Sequence, residues 1–111
     1  MRVIPGIEQK QCAVAGHNLA YFRAGQGETV LLIHGITTYS FIWRNILPEL
    51  ARNYDVIAVD LLGCGHSDMP LDVSYAIKDH AEVLHGFALA LDLPRFHFVG
   101  HDLGGGIGQI F

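Results

Sequence analysis

Cysteine, clustered positive charge and long apolar runs are scarce in this chain, and each scarcity closes a class of function. There are two cysteines, Cys12 and Cys64. Neither stands in a metal-ligand spacing, so a zinc module and a disulfide scaffold are both set aside in favour of a reduced, cytosolic pair. The seven Lys and Arg residues are scattered and the net charge is −4. That leaves no basic cluster to grip phosphates, and no nucleic-acid partner is expected. The longest apolar stretches, "TVLLI" and "FALAL", fall far short of the ~20 residues that cross a bilayer, so no membrane partner is expected either. The opening "MRVIPGIEQKQ" turns polar too early for a secretory leader, which points to a cytoplasmic location. Internal repeats, charge blocks and low-complexity linkers are missing as well.

What is present is enough for one small domain. The chain has 111 residues, of which 50% are apolar, so it can bury a core. "KQCAVAG" and "HNLAYFRAG" are β-prone runs that meet at Gly16-His17 and predict an antiparallel hairpin. "TVLLI", "YDVIAVD" and "FHFVG" read as three further strands, each buried on both faces. Between the first two of these, Ile42, Ile46, Leu47 and Leu50 recur at helical steps and predict a helix from about Ser40 to Asn53, which Pro48 kinks or splits. "SYAIKDHAEVLHGFALALDL" is the clearest helix, with Ser74 as N-cap and Pro94 as stop. "LGGGIGQIF" opens another. Strands alternating with helices argue for an α/β fold with a mostly parallel sheet covered on both faces. Ligands of such sheets sit at the carboxyl ends of the strands, where "HGITT", "LLGCGHSDMP" and "HDLGG" all fall.

Three pieces carry chemistry: "HGITTYSFIWRNILPEL", "DLLGCGHSD" and "GHDLGG". The third places Asp102 in a G-x-D-x-G turn between a strand and a helix. Glycines at positions 100 and 104 suit a strained turn whose flanks would otherwise collide. A helix N-terminus favours negative charge, so a carboxylate there stays ionised and nucleophilic. Aspartate is also a common N-cap, but capping alone requires neither Gly100 nor Gly104. In "DLLGCGHSD", Asp60 and Ser67 are expected to bond local backbone. A phosphate cradle would need a fuller glycine fingerprint and a following lysine. The histidines give no convergent set of three or four ligands, so no metal and no cofactor are expected. Trp43 and Phe41 are expected to pack the core or floor a pocket.

In their order and spacing the three pieces resemble the α/β-hydrolase superfamily over nearly the whole chain. The likeness is strongest to the aspartate-nucleophile branch, the haloalkane dehalogenases and epoxide hydrolases, and the run Trp43-Arg44-Asn45-Ile46 with Pro48 is especially like the former. The resemblance implies a partial hydrolase fold, with residues 1–111 the N-terminal portion of one core domain that stops after the nucleophile turn. It implies Asp102 as nucleophile towards a small organic substrate, and an oxyanion hole made by the backbone N–H groups of Ile36 and Leu103. It makes His34 a packed structural histidine, because the family's base lies downstream. The catalytic acid and histidine are expected beyond Phe111, which would leave these residues alone inactive. Leu103 stands where dehalogenases typically carry a halide-gripping Trp, and Ile36 where they often carry Asn. Thr37 stands where epoxide hydrolases usually carry proline. Two other uses of the scaffold stay open: a non-catalytic ligand-binding protein, and a cofactor-free lyase or oxygenase.

Overall fold

A computed structural model describes residues 4–111. The first three residues of the stretch read against a leader, and of the 1–111 portion, lie outside them. The hairpin forms as its sequence predicts. β1 (Gln9–Val14) and β2 (His17–Ala24) run antiparallel with Val14 opposite His17. The turn has positive φ at both central residues, 50° at Ala15 and 85° at Gly16, as the twist of a two-residue hairpin demands. Gly16 adopts this freely; Ala15 does not.

β3 (Thr29–Ile33), β4 (Asp55–Val59) and β5 (His97–Gly100) complete a five-stranded sheet in the order β1-β2-β4-β3-β5. β4, β3 and β5 are mutually parallel, while β2 meets β4 antiparallel. β3 and β4 are almost wholly buried because side chains from both of their faces enter a core. Leu31, Ile33, Ile57 and Val59 point to one side, against Leu84, Phe87 and Ile107. Val30, Leu32, Val56 and Ala58 point to the other, against Phe22, Trp43 and Leu47. The rings of Tyr21 and Phe87 meet edge to face with centroids 5.3 Å apart. At the start of β4, Asp55 takes a two-pronged bond from Arg23 at 2.9 and 2.7 Å, and a third bond from Thr29 Oγ1 at 3.0 Å. That ties three strands together at the end away from Asp102.

Three expectations need correction. The helix expected over 40–53 is two pieces, a 3₁₀ turn at Ser40–Trp43 and a single-turn α1 at Leu47–Leu50 with Pro48 in its first turn. Proline fits there because the first turn has no amide partner to lose. The long helix α2 runs Ile77–Ala90 with Ala76 at its N-cap and no side-chain cap; Ser74 Oγ accepts only the Ala76 N–H at 3.2 Å. It ends before Pro94, with Asp92 at φ 57° and Leu93 N–H turned back to Ala88 O. β5 is not buried. Among the described residues it pairs only with β3, and Val99 is 41% exposed. The last helix, α3 (Leu103–Ile110), packs beside α2 through Ile107.

The strained turn residue gives a direct test. Ala15→Asn creates an Asn-Gly pair suited to positive φ, and the left-handed penalty at stake is ~1–2 kcal/mol. The urea midpoint should rise, by about 1 kcal/mol of stability at constant m.

Candidate functional site

The carboxyl ends of β3, β4 and β5 bring three loops together, and backbone crowding sets their geometry. Asp102, between β5 and α3, has φ 56° and ψ −112°, a conformation that non-glycine residues adopt only when their surroundings enforce it. The enforcing contacts are glycine contacts. A Cβ on Gly104 would lie 2.3 Å from Ile33 O, and one on Gly100 would lie 2.5 Å from Gly104 C and O. A Cβ on Gly35, in the loop after β3, would lie 2.6 Å from Asp102 Cβ. The first turn of α3 is therefore pressed on the end of β3, and the loop after β3 is pressed on Asp102. His101 N–H closes the corner by donating to Ile33 O at 3.0 Å.

Asp102 is exposed and makes no side-chain capping bond to α3. Its Oδ2 instead accepts the backbone N–H of Ile36 at 3.2 Å. Leu103 is the first residue of α3, directly after Asp102. Asp102, Gly35, Gly100, Gly104 and Ile36 thus lie at one place. The other expected residues lie elsewhere or serve the frame. Trp43 packs in the core beneath the 3₁₀ turn, and Arg44 lies over the Phe41 ring at 4.6 Å. Thr37 stands at φ 60°, a value closed to the proline that epoxide hydrolases usually carry there. His97 is near Glu28 at 3.6 Å, at the amino end of the parallel strands. A cavity of about 660 Å³ opens at that same far end, between Glu28, Arg95, Phe96, Phe98 and Phe111. It does not touch Asp102.

His34 and Asp60 are fully buried and bond across two loops. His34 Nδ1 donates to Gly35 O at 2.8 Å, and its Nε2 accepts Leu61 N–H at 3.0 Å. These bonds fix one neutral tautomer. Burial pushes the His34 pKa down, against smaller opposing effects of the Gly35 carbonyl bond and Asp60. Asp60 accepts Ser40 N–H at 2.7 Å on one oxygen and His66 N–H at 3.0 Å on the other. The expectation that Asp60 serves only its own loop is thus half met: His66 is local, Ser40 belongs to the 3₁₀ turn after β3. Ser67 Oγ donates to Asp60 O at 2.6 Å and accepts Ala20 N–H at 2.8 Å, tying the same loop to β2. Both cysteines are free thiols, and burial pushes each pKa up. Among the described residues no group of three or more His, Cys, Asp or Glu is placed to hold a metal ion, and no helix is long and apolar enough to cross a membrane.

The glycine contacts predict opposite outcomes at adjacent residues of one helix. Gly104→Ala drives a methyl group into the Ile33 carbonyl and should cost about 2 kcal/mol or more. Gly105 has nothing within 4 Å of an added Cβ, so Gly105→Ala should gain ~0.5–1 kcal/mol from helix propensity. Urea unfolding of the two variants checks both signs.

This geometry has known counterparts. A match to the α/β hydrolase fold family spans residues 28–111. A haloalkane dehalogenase of Sphingobium indicum is 41% identical over 106 residues, covering 91% of this chain and 36% of that protein. Among solved structures, the epoxide hydrolase CorEH superposes with a TM-score of 0.90 at 31% identity, over 95% of this chain and 37% of that one. A bacterial membrane phospholipase A superposes with a TM-score of 0.89 at 34% identity, over 92% of this chain and 34% of that one. The chain spans about a third of the length of the curated relatives it matches. With the match running from the strand before the Gly35 loop to the helix after Asp102, the chain belongs to the α/β-hydrolase fold family.

Proposed function

We propose that this chain is the nucleophile-bearing part of a hydrolase core domain that attacks small organic electrophiles through Asp102. The observation that carries the reading is the Ile36 N–H on Asp102 Oδ2 at 3.2 Å. It holds one carboxylate oxygen and turns the other to substrate. A carboxylate needs no base to displace a leaving group from saturated carbon. In the first step Oδ1 forms a bond to that carbon. The bond from carbon to the leaving oxygen or halogen breaks, and its electron pair departs with the leaving atom. In the second step a water attacks Asp102 Cγ and gives its proton to a base. Oδ2 takes up the negative charge, facing the N–H groups of Ile36 and Leu103. Collapse breaks the Cγ–Oδ1 bond, so the product leaves with Oδ1 and the carboxylate keeps an oxygen from water.

The second step needs a histidine that can accept a proton. His34 does not serve, since both ring nitrogens are already engaged in the core. Residues 103–111 contain no histidine and no acid. In this reading the base and its acid partner come from outside residues 1–111, and the 111 residues alone are inert. The reading takes the substrate to be a small diffusible molecule.

Substrate class follows from the side chains flanking the carboxylate. Ile36 and Leu103 offer no side-chain donor to a departing halide. Epoxides and ester-like electrophiles are the first reading. Haloalkanes are the second, carried by the 41% identical dehalogenase.

In the full-length protein, Asp102→Ala should lower kcat by at least ~10⁴-fold. A single turnover in heavy-oxygen water should give unlabelled product and one labelled oxygen on the Asp102 peptide. Label in the product of the first turnover would refute the covalent route. A panel of short epoxides, alkyl sulfonate esters and chloroalkanes should rank the chloroalkanes last by kcat/KM; chloroalkanes ranking first would reverse the order of the two readings.

A further inference from the structure

We propose that His34 is a positioning residue, which sets the Ile36 N–H towards Asp102 by holding the Gly35 carbonyl with its Nδ1–H. This rests on the nucleophilic reading of Asp102 and adds to it a residue that never meets substrate. The peptide between Gly35 and Ile36 is one rigid plane. Its carbonyl is Gly35 O and its N–H belongs to Ile36, and the two point in opposite directions. Whatever grips the oxygen therefore aims the N–H. Gly35 O is gripped twice from within, by His34 Nδ1 at 2.8 Å and by Thr38 Oγ1 at 2.9 Å. On the other side of the same plane, Ile36 N–H reaches Asp102 Oδ2 at 3.2 Å.

The imidazole is itself clamped. It is fully buried, and Leu61 N–H is fixed on its Nε2 at 3.0 Å. The loop after β4 thereby sets the ring, the ring sets the peptide plane, and the plane sets the donor. Asp60 makes the return connection by holding Ser40 N–H at 2.7 Å, which anchors the far end of the Gly35 loop. Among the described residues, the ionisable groups coupled to the ring are Asp60 from the loop after β4 and His80 from α2. Burial outweighs the pull of Asp60 and keeps the ring neutral, which preserves the acceptor that Leu61 needs.

Two substitutions separate the bonds. His34→Asn keeps an N–H donor near the position of Nδ1 and gives up the acceptor for Leu61. His34→Leu gives up both. An oxyanion donor displaced by about 1 Å costs on the order of a hundred-fold in rate. In the full-length protein, on the best substrate of the panel above, His34→Leu should lower kcat about fifty-fold with KM within about two-fold. Because the second step suffers most, the covalent ester on Asp102 should accumulate and be visible in the intact mass during turnover. His34→Asn should stay within about five-fold of the parent in kcat and accumulate less ester. Should His34→Leu fail to fold, His34→Gln replaces it: it restores an acceptor for Leu61 but not the donor to Gly35 O, and is expected to behave as Leu does. Equal losses in the Asn and Leu (or Gln) variants, or a lowered melting temperature with kcat unchanged, would overturn the positioning role. If Asp102→Asn itself still turns over, the nucleophile reading is what fails, and the mass shift would be missing in every variant.

Discussion

Between the first turn of α3 and the end of β3 there is no room for a methyl group. The carbonyl of Ile33 lies where a Cβ of Gly104 would be, and Gly104 in turn fills the place of a Cβ on Gly100. Most of the site follows from this one approach of backbone to backbone. With α3 pressed on β3, the two residues between β5 and α3 have to reverse the chain sharply, and Asp102 takes φ 56° to do so. That reversal leaves its carboxylate exposed beside the loop after β3 rather than folded back as a cap. Gly35 completes the fit, since any side chain there would strike Asp102. The energy held in the turn is on the order of 1–3 kcal/mol, small against a sheet whose two central strands are buried on both faces.

Buried polar groups do a different job. The sheet brings the loops after β3 and β4 side by side, but hydrophobic contact has no direction. Hydrogen bonds do. His34 and Asp60 each stand at the end of a central strand, and each accepts a backbone N–H from the neighbouring loop. The exchange is reciprocal, so neither loop shifts without breaking a bond inside the core, where an unpartnered polar group costs ~1–3 kcal/mol. Ser67 extends the same frame to β2. In this way the antiparallel hairpin, remote from the chemistry, still helps hold the loop beneath it.

The strands and the turn were legible in the sequence because their signals are local. A β-branched run such as "TVLLI" and the pair of glycines around Asp102 carry their reasons within a few residues. Family resemblance then set the Gly35 loop beside Asp102, and in the structure the Ile36 N–H reaches Asp102 Oδ2 at 3.2 Å. What stayed hidden depends on distance along the chain. Nothing near Asp60 in the sequence announces Ser40, and nothing near His34 announces Leu61, because those partners are chosen by strand order. The composition of "FHFVG" reads as a central strand, while among the described residues β5 pairs with β3 alone. Ser74 is a fair cap by composition, yet the chain turns into α2 two residues later than the residue type suggests. Pro48 was the one local irregularity that could be read either way, and the chain resolves it by starting a new short helix at the proline.

The sheet order has a consequence for the way the protein is made. β3 lies between β4 and β5, both of which follow it in the chain. A ribosome releases β3 after the hairpin but before both of its neighbours, the second of which begins more than sixty residues later. Until then β3 has an open edge, and the donor at Ile36 has no carboxylate to face. Synthesis at ~5–20 residues per second sets a wait of several seconds during which such a strand is prone to mispair. Over that interval the pairing of β3 depends on an element the chain has not yet supplied, so the order of synthesis and the order of the sheet run against each other.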